Sequence, residues 1–123
     1  MGDKHSATMA AHGYIAHEFP DGTSIEDRYR DRGLLPECNL EKRDGTYYPG
    51  TENVAKTHVH VDLISEHEPD YIDSERDLAQ HLFEMWMGSD GHREAMLVYS
   101  ADEAGLGLNI TRDDEVYAAL ELC

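Results

Sequence analysis

The sequence predicts a single α+β domain over residues 1–123, and three observations carry that expectation. Ser74, followed three residues later by Asp77, is a helix-start signature, and Leu78, Leu82, Met85 and Trp86 recur behind it at helical spacing. The closing segments alternate instead, with Leu106, Leu108 and Ile110 in one and Val116, Ala118, Leu120 and Leu122 in the other, the period of paired strands. Apolar residues make up 40% of the chain, about 48% with the 10 glycines, which is a globular composition able to bury a core.

The elements follow in order. Ala7, Ala11, Tyr14 and Ile15 suggest a first helix from Lys4 to His17, interrupted only by Gly13. Phe19-Pro20-Asp21-Gly22 is turn chemistry, and Ser24 with Asp27 opens a short helix through Arg32 that Gly33 stops. From Leu34 to Gly50 the pattern dissolves around Pro36, Asp44-Gly45 and Pro49-Gly50, a long loop with room for a functional or pinned role. Thr51 to Asp62 reads as extended, and Ile64 to Asp73 as a polar connection. After the Ser74 helix, Ser89 is placed to cap a further turn or two from Asp90 to Val98. Arg112-Asp113-Asp114 joins the two closing strands as a hairpin.

Charge excludes whole classes of partner. Ten Lys and Arg stand against 26 Asp and Glu, a formal charge of -16, so nucleic acid and anionic membrane faces are repelled before any specific contact forms. No run reaches the roughly 18 consecutive apolar residues of a membrane span, and Met1 to Lys4 does not lead into the apolar stretch of a signal peptide. Only Lys4, Lys42 and Lys56 are lysines, while acids crowd the polar positions, a halophilic pattern: molar salt shortens the screening length to ~3 Å and makes such a surface tolerable.

Three strings can carry chemistry: Ile15-Ala16-His17-Glu18, Glu52-Asn53-Val54-Ala55, and Trp86-Met87-Gly88-Ser89-Asp90-Gly91-His92-Arg93. Taken singly, His17 and His92 read as polar residues filling hydrogen bonds at helix ends. Taken in this order and spacing, with the closing hairpin behind them, the strings resemble the CAP superfamily, the fold of cysteine-rich secretory proteins, antigen 5 and plant pathogenesis-related proteins, in its prokaryotic SCP-like branch. The resemblance spans nearly the whole chain, with a first helix that looks shortened at its start.

The resemblance implies a three-layer αβα sandwich, with helices on both faces of a small antiparallel sheet made by the Glu52 segment and the final hairpin. It implies a cleft where His17, Glu52 and His92 converge to hold a divalent metal, while the family's second glutamate position falls on Ser89. The donor types suit zinc, since imidazole nitrogens with one carboxylate and an open position are its common ligands. The same three residues are the candidates for catalysis, because a histidine held by a carboxylate can activate water. The leading functional expectation is a non-catalytic module that binds a metal, a small molecule, a lipid or an extracellular polymer. The alternative is a metal-assisted or histidine-based hydrolase using the same cleft. An extracellular location follows from the resemblance alone.

Other candidates are weaker. His58 and His60 alternate and would share a strand face, as a metal pair or, more simply, a solvated edge. His5, His12, His67 and His81 lack a partner motif, and Met85, Trp86 and Met87 read as core before they read as a lipid groove. Cys38 and Cys123 either pair, closing a loop of 85 residues, or lie free and buried.

Overall fold

The computed structural model describes residues 1–61 and 71–123. It is a mixed α+β chain with four helices and two small antiparallel sheets among these residues: α1 Gly2–His12, α2 Ile25–Asp31, β1 Asn39–Glu41, β2 Tyr47–Pro49, β3 Thr51–His58, α3 Glu75–Met87, α4 Asp90–Met96, β4 Ala104–Ile110 and β5 Glu115–Leu122. The larger sheet has the order β3-β5-β4, with β5 central and antiparallel to both neighbours. The hairpin register sets Leu106 opposite Leu120, Leu108 opposite Ala118 and Ile110 opposite Val116, the pairing the alternation suggests.

Because successive strand residues point to opposite faces, β5 feeds two separate cores. Val116 and Ala118 join Ala55, Val59 and Ile72 beneath Leu78, Leu82 and Trp86 of α3. Tyr117 and Ala119 join Val54 and Met9 of α1 on the other face. The Trp86 indole N–H donates to Val54 O at 3.1 Å, which gives the buried ring its polar partner and ties α3 to β3.

Two helix starts form as their sequences suggest. Ser24 and Asp27 make a reciprocal capping box on α2, and Ser74 Oγ accepts from the Asp77 amide at 3.1 Å on α3. Ser89 stands at the N-cap of α4 without a side-chain cap bond, and that helix ends at Met96, short of Val98.

Several expectations are corrected. The first helix stops at His12 because Gly13 turns left-handed at φ 75°, its amide closing on Met9 O at 2.8 Å. Its buried face is Gly2, His5, Ser6 and Met9, whereas Tyr14 and Ile15 lie in the exposed return segment beyond it. The 34–50 loop contains the β1–β2 hairpin, whose three-residue strands are too short to carry a readable period. Strand β3 ends at His58 and His60 adopts φ 58°, so the two histidines do not share a strand face. Instead His58 lies 3.8 Å from Glu115 and His60 lies 3.4 Å from Asp114, beside the closing turn. The polar connection from Ile64 to Asp73 falls outside the described residues as far as 70, as does His67.

The open alternative at the cysteines closes in favour of a disulfide between Cys38 and Cys123, which pins the start of β1 to the end of β5.

Candidate functional site: a histidine and a buried carboxylate cluster

The site begins at the start of β3. Glu52 and Asn53 are adjacent and therefore face opposite sides of the strand, and each ties a different part of the chain to the sheet. Asn53, 2% exposed, donates from Nδ2 to the His92 carbonyl at 2.9 Å and fixes the start of α4. Glu52 points the other way, its side chain wholly buried, and receives two hydrogen bonds. His17 donates from Nδ1 to Oε1 at 3.0 Å, and Arg28 donates from Nη1 to Oε2 at 2.6 Å. A carboxylate only accepts, so the contact fixes the proton on Nδ1 of His17.

Arg28 sits on α2, 6% exposed, and does more than hold Glu52. Its Nη1 also donates to Glu121 Oε1 at 3.1 Å, and its Nη2 donates to the His17 carbonyl at 2.8 Å. Glu52 and Glu121 are cross-strand partners in the β3–β5 register. Like charges directly opposite one another repel, and the guanidinium between them makes the pairing tolerable. Arg28 serves both buried carboxylates, and the Met1 ammonium stands 4.0 Å from Glu121 Oε2. Burial, with the Glu52 charge, pushes Glu121 up to about 7 against the pull of Arg28. Burial pushes Glu52 the same way, but the hydrogen bonds from His17 and Arg28 with the Arg28 charge outweigh it and hold Glu52 below its ordinary value.

His5 completes the cluster from α1. Its Nε2 donates to Ala16 O at 2.7 Å, which folds the return segment back across the helix and presents His17 to Glu52. The same nitrogen lies 3.8 Å from Glu52 Oε1. The ring stacks on Phe19 at 5.1 Å, and burial lowers its pKa, so it is neutral where His17 meets solvent.

His17 itself is half exposed and, with Glu52, lines an open cleft of about 490 Å³ whose other walls include Ile25, Tyr48, Pro49 and the acids Glu18 and Glu26. His92 does not line this cleft. It is half-buried at the start of α4, where burial and then the His17 charge lower its pKa. The structure thus joins His17 to Glu52 directly and brings His92 into the electrostatic range of His17. Among the described residues no group of three or more His, Cys, Asp and Glu is disposed to hold a metal ion. Both Glu52 oxygens are already occupied, one of them by a guanidinium, which suits a residue that orients His17 better than one that ligates a cation.

Arg28, Glu121 and His5 escape a reading of the sequence. Arg28 lies among charges on a short helix and looks like a solvated residue. Glu121 carries a weak signal, an acid between Leu120 and Leu122 in a strand otherwise built for burial. His5 carries none, because the helix around it has no strong apolar stripe.

No family model matches the chain, and neither does any curated protein or solved structure.

Proposed function

We propose that this is a CAP-like domain of the three-layer αβα type, whose cleft beside His17 and Glu52 binds a small ligand without covalent chemistry. One observation carries the reading: a half-exposed histidine at the wall of an open cleft has its Nδ1–H committed to a buried carboxylate, which fixes the ring and leaves Nε2 outside that contact. The helices on both sheet faces support the architecture. The acidic rim of Glu18 and Glu26 disfavours anionic lipids and favours neutral hydroxylated or cationic molecules, including segments of an extracellular polymer. The disulfide suits an oxidising, extracellular setting.

As a three-ligand cage His17, Glu52 and His92 do not fit zinc, because Glu52 already accepts from His17 Nδ1 on one oxygen and from a guanidinium on the other. A two-imidazole set of His17 and His92 would make a weaker site, with Glu52 acting behind His17. The ion would supply an electrophile to a bound ligand. The runner-up reading is a hydrolase, favoured by the same pair, since a histidine oriented by a carboxylate is the arrangement that accepts a proton from water.

Melting measurements against hydroxylated oligomers, quaternary amines and zinc, each for wild type and His17→Ala, test these readings. The binding reading expects a stabilising shift that disappears in His17→Ala, with no turnover of ester or peptide substrates. Turnover abolished by the same substitution would favour the hydrolase, and equal shifts in wild type and variant would remove His17 from the site.

A further inference from the structure

Among the described residues β4 is an outer strand of the larger sheet, and nothing in it guards that edge. Natural edges are blunted by lysine, proline, a bulge or brevity. Here Ala104-Gly105-Leu106-Gly107-Leu108-Asn109-Ile110 runs seven residues with no charge and no proline, in a chain that is 29% charged, and its register on β5 is unbroken. The ladder also tells which backbone groups are free. Glu103 and Cys123 exchange both backbone bonds, at 3.0 and 2.9 Å, and Thr111 N donates to Glu115 O at 2.9 Å. Odd-numbered residues therefore turn their amides and carbonyls toward β5, and Ala104, Leu106, Leu108 and Ile110 turn theirs outward.

The side chains of those four residues share one face. On it α3 covers Val116 and Ala118 of β5 but leaves β4 open, with Leu106, Leu108 and Ile110 exposed by 52, 40 and 53%. We propose that a second copy of this chain pairs with β4 as an antiparallel strand, joining two three-stranded sheets into one of six about a two-fold axis at Gly107. Full overlap of the two strands sets Leu106 opposite the second copy's Leu108, Ala104 opposite Ile110, and Gly107 opposite itself, so outward groups meet outward groups. The same register places exposed Asp102 opposite exposed Arg112 at both ends. A slip of two residues one way sets Glu103 against Asp113, and a slip the other way leaves Arg112 opposite Ser100. A second copy therefore suits this edge better than an unrelated strand, because self-pairing makes the charge match twice.

The opposite face leaves room for the pairing. There α1 straddles β4 and β5, its Gly2 lying against Gly107 and Ala119. With strands about 4.8 Å apart, the two copies of α1 stand about 10 Å from each other, an ordinary helix spacing. A charge of -16 on each copy opposes the association, while the strands themselves are uncharged, so salt should strengthen it. This pairing is independent of what the His17 cleft binds.

Sedimentation of the intact, oxidised protein over a range of concentrations tests it, with potassium chloride varied from about 0.1 to 3 M. The expected result is a monomer–dimer equilibrium whose Kd falls at least roughly tenfold across that range. Leu108→Lys sets a charge on the exposed mid-strand position and should weaken the dimer at least roughly tenfold, with the melting temperature of the monomer confirming that the variant folds. Arg112→Asp should weaken it at low salt, and Asp102→Arg/Arg112→Asp, which restores both the match and the net charge, should recover wild-type affinity. Arg43→Asp makes the same change of charge on the turn between β1 and β2 and should weaken the dimer less than Arg112→Asp does. A monomer at every concentration and salt, a dimer indifferent to Leu108→Lys, or a charge swap that fails to rescue would each overturn the pairing.

Discussion

Replacing Glu121 by Gln removes one of the two carboxylates that share Arg28 while keeping an oxygen to accept from Nη1. With glutamine in place Arg28 faces a single buried carboxylate, Glu52. In the wild type, Glu121 moves from an ordinary 4.5 when unfolded to about 7 when folded. The folded chain therefore holds that proton more tightly, so its contribution to stability is full below 4.5 and is lost as pH rises through about 7. At 1.36 kcal/mol per pH unit the ceiling is roughly 3 kcal/mol, and relaxation around the charge reduces the expected loss to on the order of 1–2 kcal/mol. His5 acts with the opposite sign. Burial lowers its folded pKa below 6.5, so its contribution is present above 6.5 and is lost as pH falls through the lowered value. Both proteins carry His5, so the difference between them isolates Glu121. Urea unfolding from about pH 5 to pH 8 should show Glu121→Gln near or slightly below wild type at the acid end, and more stable by on the order of 1–2 kcal/mol at the alkaline end. A difference that stays constant across that range would refute the idea that burial beside Glu52 raises Glu121.

Three further outcomes follow from the structure. The Cys38–Cys123 bridge closes a separation of 85 residues, so Cys38→Ser/Cys123→Ser should cost roughly 4–5 kcal/mol in urea unfolding, and a loss under about 1 kcal/mol would mean that the unfolded chain is already restrained. A methyl on Gly107 would run into the backbone of Gly2 and Asp3, and one on Gly2 would stand 2.6 Å from Gly107 N; Gly107→Ala should therefore lose roughly 1–3 kcal/mol or more in the same assay, and a neutral result would show that α1 shifts freely over β4. Melting temperature should climb between about 0.1 and 3 M potassium chloride as screening shortens the reach of surface repulsion, and a flat or falling curve would remove the halophilic reading of the 26 acids.

What the sequence makes legible is what is local. The Ser24 and Ser74 caps, the Leu78-Leu82-Met85-Trp86 stripe and the β4–β5 register rest on residues within a few positions of one another, where propensity and period act directly. The end of α1 is misread because Tyr14 and Ile15 keep helical spacing beyond Gly13, and the left-handed turn there depends on the return segment that His5 pins at Ala16. The β1–β2 hairpin is hidden by its brevity. At the site, His17 and Glu52 are 35 residues apart, and they stand out only through the order and spacing of the strings that hold them. Arg28 and Glu121, 93 apart, carry no such order. Their roles come from the cross-strand register, which sets two carboxylates face to face and so requires a cation from a third element.

That requirement explains how so acidic a chain can bury charge at all. Surface carboxylates lie in water, where repulsion at 4 Å is about 1 kcal/mol per pair and is reduced further by salt. Glu52 and Glu121 lie where screening is weak, so mobile ions cannot relieve them and a fixed guanidinium must. The two populations should then separate under salt. Raising potassium chloride stabilises wild type and Glu121→Gln alike, because both keep the same crowded surface, while the pH-dependent gap between them persists, because its source is buried. A cluster whose imbalance survives molar salt is also one that holds His17 in a constant orientation, so the geometry at the cleft wall is insulated from the ionic strength around the surface.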